Sequence, residues 1–327
     1  MKTPHKLLLA FLALLAAAML SLCFGQVWIS PNEVVQIICG HDTPYRIIFL
    51  FARLPRTMAC LSAGAALACS GAVLQRVLAN NLASPGIVGV NAGAGLGVSI
   101  CCAAGVLSGW AISVSAFLGS LAAVCAIGLL AYTSGASKST VILCGVALNS
   151  MLSAMSETIT VLRPDVAMIN LDFRVGGFSA VSYERLIPAH CLIVLALIVV
   201  MTLCNELDVL SLGDETACDL GLPVRRYRLL FLLLAALLAG AAVSFAGLLG
   251  FVGLIVPHLA AKLVGRESRF LLPMAALCGA ALVTLCDLAA RLLFLPYELP
   301  VGILMAVLGG PVFLVLLLRH RGGHRYA

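Results

Sequence analysis

Long apolar runs separated by short polar breaks make up most of the chain. A bilayer core about 30 Å thick needs roughly 20 apolar residues per crossing helix, and about ten runs approach that length. They predict an all-α polytopic membrane protein with a single transmembrane domain over residues 1–327. A β-barrel would show short alternating strands instead. The predicted helices cover 7–27, 54–79, 86–107, 110–132, 139–161, 186–204, 229–249, 251–265, 271–295 and 300–318.

The composition supports this class and removes several others. Hydrophobic residues make up 62% of the chain and charged residues 10%, whereas the apolar share of a soluble domain is nearer half. The 13 cysteines form no C-x-x-C pair and lie mostly in apolar runs, where cysteine packs as a small hydrophobe. The six histidines are scattered along the chain. We therefore expect no metal site, no cofactor and no catalytic triad.

One short segment partly matches the sequence pattern of a phosphate-binding loop. In "TSGASKST", residues 133–140, Ser137 precedes Lys138, but the Walker pattern needs glycine there so that bare backbone amides can wrap a phosphate. No strand is predicted before the segment either. The chain is not expected to bind ATP through this motif.

The basic residues between the runs predict the orientation, because cytoplasmic loops carry an excess of Lys and Arg. With the N-terminus inside, 13 of the 20 basic residues face the cytoplasm and both termini are cytoplasmic. The first run is expected to stay as an uncleaved helix, since Leu22 before Cys23 is bulkier than lipoprotein cleavage sites carry. The inside set is Lys2, Lys6, Arg76, Lys138, Arg225, Arg226, Arg228, Lys262, Arg266, Arg269, Arg319, Arg321 and Arg325.

A polar island interrupts the apolar pattern at "SLGDETACDLGLPVRRYR", residues 211–228. Acidic residues stand where they would complement the dipole of a short helix at its first turn, and Gly221 is a natural helix stop. Leu220 and Leu222 could enter a pocket of a partner, and Pro223 prevents the helix from running on. A merely solvated loop would explain the charges but not this capped form.

Two similar stretches indicate an inverted internal repeat. "GAALACSGAVL" begins at Gly64 and "GAAVSFAGLLG" at Gly240, with a further glycine seven residues on, at Gly71 and Gly247. The predicted topology runs the two helices in opposite directions, as in many transporters. Small residues also recur by chance where membrane helices pack closely, so these glycines are expected to serve helix packing or gating.

Two further sites have competing interpretations. His258 follows Pro257 in an apolar run and could be a ligand. Pro257, however, frees a backbone carbonyl that neighbouring polar groups must satisfy in lipid, so both residues are expected to serve helix packing or gating. Asp287 and Arg291 are four residues apart and share one helix face. Because an isolated charge at a helix centre costs about 3 kcal/mol on insertion scales, an internal ion pair is expected there, although Arg291 is near enough to the outer end to serve a partner.

Five segments, in order along the chain, resemble permeases that import iron–siderophores, haem and vitamin B12. Three departures accompany the resemblance: Asn80-Asn81-Leu82-Ala83 replaces the usual Asn-Pro-Leu-Ala, Ala261-Lys262 stands where Arg is common, and Phe173 replaces a common Trp, with Arg174 beside it. The segments are "RLPRTMACLSAGAALACSGAVLQRVLANNLASPGIVGVNAGAGLG", "VILCGVALNS", "LSLGDETACDLGLP", "GFVGLIVPHLAAKLVG" and "ELPVGILMAVLGGPVF".

The resemblance implies the fold of a type II ATP-binding-cassette importer permease in the inner membrane of a bacterium. It implies a homodimer or heterodimer of ten-helix subunits, two ATPase subunits inside and a soluble binding protein outside. The chain would be a translocation subunit and no enzyme, most simply for ferric siderophores, with cobalamin or haem as the alternative. An ion-coupled secondary transporter is a different possibility, but it would need midplane carboxylates, for which Glu157 is the main isolated candidate.

Site residues also follow from the resemblance. The polar island matches the family's coupling loop, about 205–228, which rests in a groove of the ATPase. Its expected contact residues are Gly213, Asp214, Glu215, Ala217, Asp219, Leu220 and Gly221. The arginines expected to receive acidic residues of the binding protein are Arg53, Arg56 and Arg291.

Overall fold

A computed structural model describes residues 3–134 and 138–321. Every regular element in these ranges is helical. Lys2 and Arg325, two of the basic residues used for orientation, and residues 135–137 of the "TSGASKST" segment lie outside the described ranges.

The described chain forms fifteen α-helices, numbered α1 to α15, with a π-helical turn over Phe49–Arg53 and a 3₁₀ turn over Pro164–Val166. The bounds are α1 Thr3–Cys23, α2 Pro31–Ile38, α3 Arg46–Ile48, α4 Leu54–Val77, α5 Val90–Ala103, α6 Gly109–Ser134, α7 Lys138–Leu162, α8 Ala167–Val175, α9 Tyr183–Thr202, α10 Cys204–Ser211, α11 Asp214–Asp219, α12 Val224–Ala246, α13 Val252–Val264, α14 Ser268–Leu292 and α15 Val301–Arg321.

Seven helical stretches of the described chain are long and apolar enough to cross a membrane. They are α1, the continuous stretch Arg46–Val77 that ends in α4, α6, α7, α9, α12 and α14. Three shorter apolar segments, namely α5, α13 and the part of α15 over Val301–Val315, correspond to the remaining predicted helices. Each of the ten predicted helices therefore has a counterpart, while length and composition alone identify seven crossings.

The centre of the molecule is built from α4, α12 and α14. In the apolar stretches of α4 and α12, 83% and 78% of the residues are buried, whereas only 17% are buried in that of α7. Small residues allow this close packing. A Cβ at Gly64 of α4 would lie 2.3 Å from the carbonyl oxygen of Gly279 in α14, and one at Gly71 would lie 1.8 Å from that of Gly253 in α13.

The end of α1 differs from the prediction for a physical reason. The predicted helix ran over 7–27, but α1 ends at Cys23. The guanidinium of Arg53 donates hydrogen bonds to the carbonyls of Leu22, Phe24 and Val27. Once these carbonyls have a side-chain donor, the chain no longer needs a further helical turn to satisfy them.

Helices α2 and α8 were not predicted from the apolar pattern. Helix α2 carries a capping box in which Ser30 and Glu33 each satisfy the other's backbone amide. This signature, with Pro31 at the first helical position, is readable in the sequence. Helix α8 is held instead by a buried polar network of Ser99, Ser156 and Asn170, which local sequence could not reveal.

Candidate coupling and docking surfaces

The polar island folds as two short helices, α10 and α11. Helix α11 ends in a Schellman motif: the amide of Leu222 donates to the carbonyl of Ala217 (2.9 Å), and that of Gly221 donates to Cys218 (2.8 Å). Gly221 has φ +82°, the left-handed region that glycine enters without a steric penalty. The helix stop expected at Gly221 is thus present, and Pro223 follows as the N-cap of α12.

Asp214 at the start of α11 anchors this helix to the rest of the molecule. Its carboxylate pairs with Lys138 of α7 (3.1 Å) and with Arg228 of α12. Partial burial acts to raise the pKa of Asp214, but the hydrogen bonds and charges of Arg228 and Lys138 outweigh it and hold the pKa below its ordinary value. The carboxylate is therefore charged at neutral pH, and it joins α7, α11 and α12.

Asp208 anchors α10 in a similar way. It accepts hydrogen bonds from the amide and hydroxyl of Ser268, at 3.1 and 2.7 Å, and pairs with Arg76. Arg76 also donates to the hydroxyl of Ser211 (2.8 Å). Since Arg76 lies in the last turn of α4 and Ser268 begins α14, the carboxylate of Asp208 connects the island to both central helices.

The face of the island that points away from the helix bundle carries solvent-exposed side chains. Leu220 is 62% exposed, as is Leu212, a residue that the sequence did not single out. Glu215, Asp219 and Gly221 are also exposed, and Gly213 is half-buried. Ala217 is fully buried, and Leu222 packs against the main core. Of the two leucines that were expected to enter a pocket of a partner, only Leu220 is therefore exposed to solvent.

Arg56 occupies the opposite end of α4, within a network of charges. Its Nε and second guanidinium nitrogen donate to Asp287 of α14 at 3.1 and 3.0 Å, and its third nitrogen donates to Glu298 at 2.7 Å. The Arg56 side chain is 13% exposed and that of Glu298 is 30% exposed. This planar two-point grip is the geometry that arginine makes with carboxylates.

Arg53 and Arg291 lie behind Arg56. Only 6% and 3% of these residues are exposed. Arg53 caps α1 as described above, and Arg291 donates to the hydroxyl of Ser21 at 2.8 Å and pairs with Asp287 at 3.1 Å. The ion pair expected between Asp287 and Arg291 is confirmed, and Asp287 is shared by two arginines.

The two surfaces lie at opposite ends of the same helices. Helix α4 has 24 residues and therefore spans about 36 Å, with Arg56 in its first turn and Arg76 in its last. Helix α14 runs the other way, from Ser268 beside Asp208 to Arg291 beside Arg56. Two helices that contact each other, α4 and α14, therefore join the island to the arginines.

The remaining predicted residues are distributed along the body. A Cβ at Gly240 of α12 would lie 2.2 Å from the hydroxyl of Ser120 in α6. Gly247 lies beyond the end of α12 with φ +68°, so it does not occupy a mid-helix position as Gly71 does. Pro257 and His258 lie in α13 and line a cavity beside the island. They are not close to the arginines of the opposite end.

Glu157 does not lie isolated in the core, as the sequence suggested. It is 63% exposed on α7 and pairs with Arg174 at 3.5 Å. Within residues 3–134 and 138–321 no group of three His, Cys, Asp or Glu side chains is placed to hold a metal ion. The sequence did not reveal the hydrogen bonds of Arg76 with Asp208 and of Arg56 with Glu298, because these partners are distant in the chain.

Comparison with known proteins places this architecture in a family. A model of the FecCD transport family matches residues 13–319. The chain belongs to this family. The chain is similar to the haemin transport system permease protein HmuU of Yersinia pestis, with 38% identity over 96% of this chain and 94% of the relative. The vitamin B12 import permease BtuC of Klebsiella pneumoniae is 36% identical over 95% and 92% of the two chains.

Solved structures agree with this assignment. A structure described as an inward-facing conformation of a metal-chelate type ABC transporter superposes with a TM-score of 0.88 at 30% identity, covering 97% of this FecCD chain and 99% of that one. PsaBC of Streptococcus pneumoniae superposes with a TM-score of 0.57 at 16% identity, which supports the fold alone. The relatives are named as permeases, that is, as translocation subunits rather than ATPases.

Proposed function

We propose that this FecCD-family chain is the permease subunit of a binding-protein-dependent, ATP-driven importer of metal chelates. One observation supports the proposal. The coupling segment, which is anchored by ion pairs and exposes side chains to solvent, lies at the opposite end of the same two helices from the arginine cluster. ATP hydrolysis would take place in a separate partner. Its work would reach this chain as rigid-body motion.

The substrate class is a chelate too large for a simple pore. Ferric siderophores are the substrate that we propose from the sequence. Haem and cobalamin form the second candidate, because relatives are named for haemin and vitamin B12 transport. An ion-coupled mechanism has little support, since Glu157 is paired with Arg174 at the surface of α7.

The body would contain ten crossings arranged as an inverted repeat. If α12 is the copy of α4 and α14 the copy of α6, the contact of Gly64 with α14 corresponds to the contact of Gly240 with α6. Both are close approaches of small residues, which support this pairing. The whole chain would form one permease domain that pairs with a second permease subunit, identical or different.

The arginine end would face the binding protein and the island the cytoplasm, with both chain termini inside. Arg56 is the proposed direct contact, because it retains exposure; Arg53 and Arg291 would hold Asp287 and α1 in place around it. The exposed Cys218 of α11 tests this orientation. On a background without other cysteines, an impermeant reagent should leave position 218 unlabelled in intact cells and label it in inverted vesicles.

The function is tested by reconstitution. The permease, the ATP-binding-cassette ATPase and the binding protein encoded beside it are placed in liposomes, and uptake of a ferric siderophore, haemin and cobalamin is measured. Uptake of one of these chelates should require both ATP and the binding protein. Transport driven by a proton or sodium gradient without ATP would contradict the proposal.

A further inference from the structure

A cavity of about 980 Å³ opens at the island end of the molecule. Its walls come from the end of α4, from α10, from α13 and from the start of α14. The coupling segment itself supplies Asp208, Ser211 and the exposed Leu212. The ionisable residues of the lining are Arg76, Asp208, His258, Lys262, Arg266 and Glu267.

The charges of this lining are not balanced internally. Asp208 is neutralised by Arg76 and by the donors of Ser268. Lys262 and Arg266 are exposed, and the structure shows no hydrogen bond or ion pair of either side chain within the described residues. Glu267 is the one lining carboxylate besides Asp208 among these residues. A net positive charge therefore remains at the mouth of the cavity.

A buried donor adds to this imbalance. The Nε of Arg76 is inaccessible to water and has no acceptor within the described part of the chain. Buried donors are rarely left unpaired, because such a group costs free energy until it finds an acceptor. The lining thus has more unpaired hydrogen-bond donors than unpaired acceptors. Together with the net positive charge, this favours an anion as the bound group.

The position of the cavity decides between sources of that anion. Because α10 forms one wall and Leu212 stands at the rim, a protein seated on the island would also cover the cavity mouth. We propose that the cavity receives an acidic side chain of the ATPase, bound between Lys262 and Arg266. This inference rests on the proposed function and adds a second attachment point, on α13, to the one on α10 and α11.

Charge reversal with a matched control tests the pocket. The ATPase encoded beside the permease is titrated against the permease in neutral-lipid nanodiscs at low salt. Lys262→Glu and Arg266→Glu should each weaken binding at least ten-fold, because a carboxylate in the partner would then face a like charge. Arg269→Glu is the control: Arg269 lies three residues on, over the Phe270 ring and outside the lining, and this variant should bind within about two-fold of wild type.

A zero-length cross-link between the wild-type proteins provides a readout that does not depend on whether a charge-reversed variant folds. Carbodiimide condenses the Lys262 amine with a carboxylate at contact distance; water leaves into the reagent, which becomes a urea. Mass spectrometry should find Lys262 joined by an amide bond to an Asp or Glu of the ATPase. Lys262→Arg should keep the affinity and lose the cross-link, because the guanidinium does not form the amide.

The outcomes separate this inference from the function that it deepens. If wild-type permease does not bind the ATPase, the proposed function fails and the pocket with it. If it binds, and both reversed variants bind equally well without a Lys262 cross-link, the pocket assignment alone is overturned. If the variants bind the ATPase normally but lose retained phosphatidylglycerol, the occupant is a lipid headgroup and the proposal is also overturned.

Discussion

Asp214 shows how one residue can be tested through its charge. Its pKa is held below the ordinary value of 3.8 by Arg228 and Lys138, so the carboxylate contributes stability at neutral pH. That contribution is lost as the pH falls through the lowered pKa. Because the side chain is 46% exposed, solvent screens the pairs and their worth is at most about 1 kcal/mol.

The expected result is a pH-dependent difference between two proteins. Asp214→Asn should lower the melting temperature in detergent by roughly 1–4 °C at pH near 7. The difference should begin to shrink below about pH 4 and close once the pH is below the lowered pKa of Asp214. Glu215→Gln in the same turn is the control, since Glu215 shares the helix dipole but has no ion pair within the described residues. Equal melting of wild type and Asp214→Asn at neutral pH would exclude an anchoring role.

Gly71 offers a second test at the scale of single atoms. Alanine there would place its Cβ 1.8 Å from the carbonyl oxygen of Gly253, and backbone on a neighbouring helix cannot move aside easily. Gly71→Ala should destabilise the permease by about 1–3 kcal/mol or more. Gly95→Ala is the matched control in α5, because nothing lies within 4 Å of its Cβ, and it should be neutral or stabilising by up to about 1 kcal/mol. The measurement is thermal unfolding of both variants in one detergent.

Residue-level predictability depended on sequence separation. The Asp287–Arg291 pair was predictable, because helical geometry places residues four apart on one face. The bonds from Arg56 to Asp287 and from Arg76 to Asp208 join residues 231 and 132 positions apart. No local rule brings such residues together, so the shared use of Asp287 became visible only in the folded chain.

At the scale of elements, the island is the clearest test. Leu220 is 62% exposed, so an aspartate at this position does not disturb the fold. Burying its unpaired charge in an apolar socket of the ATPase would cost several kcal/mol. Association of Leu220→Asp with the ATPase should therefore weaken by at least about 100-fold, while Leu220→Met should bind normally. Co-purification of Leu220→Asp at wild-type yield would reduce the island to a solvated loop.

Substitution of Asp208 tests whether motion of the island is passed to α4 and α14, and not whether the ATPase binds. Asp208→Asn keeps an acceptor for Ser268 but loses the charge that Arg76 requires. We expect the ATPase to stay bound and to hydrolyse ATP, while chelate uptake per ATP falls by about ten-fold, the effect of losing a charged hydrogen bond. Asp219→Asn, on the exposed side of α11, should keep the wild-type ratio. An unchanged ratio in Asp208→Asn would show that α4 and α14 are driven from elsewhere.

Elements were predictable where one physical cause dominates. Apolar length marked every long helix, because a lipid-facing helix must exclude polar side chains for its whole span. Helix ends differed from the prediction by up to five residues, with the largest difference at Val224, where α12 begins. At Cys23 the difference is four residues, because Arg53 from a later segment supplies the cap. Helix α8 lacked any local mark, since its stability comes from tertiary hydrogen bonds of Asn170.

At the scale of the whole molecule, the arginine end is positive although most of its charges are paired. Three arginines, at 53, 56 and 291, face two carboxylates, Asp287 and Glu298. The surplus charge favours an acidic partner, and Arg56 is the member that such a partner can reach. Glu298 now occupies the outer nitrogen of Arg56 at 2.7 Å. A carboxylate of the binding protein would compete with Glu298 for that nitrogen.

This competition predicts changes of opposite sign. Glu298→Gln should free Arg56 and strengthen docking of the binding protein. Arg56→Glu should weaken docking by about ten-fold or more. Added salt should reduce docking to the wild-type permease, because rim charges are screened over roughly 10 Å at 0.1 M. Arg56→Glu also sets a carboxylate against Asp287, so a melting curve must accompany its affinity. Arg53→Glu and Arg291→Glu should lose affinity only together with thermal stability, since both side chains are buried on internal partners. If the network is purely structural, Glu298→Gln leaves docking unchanged or weaker, and that single sign decides whether Arg56 contacts the binding protein.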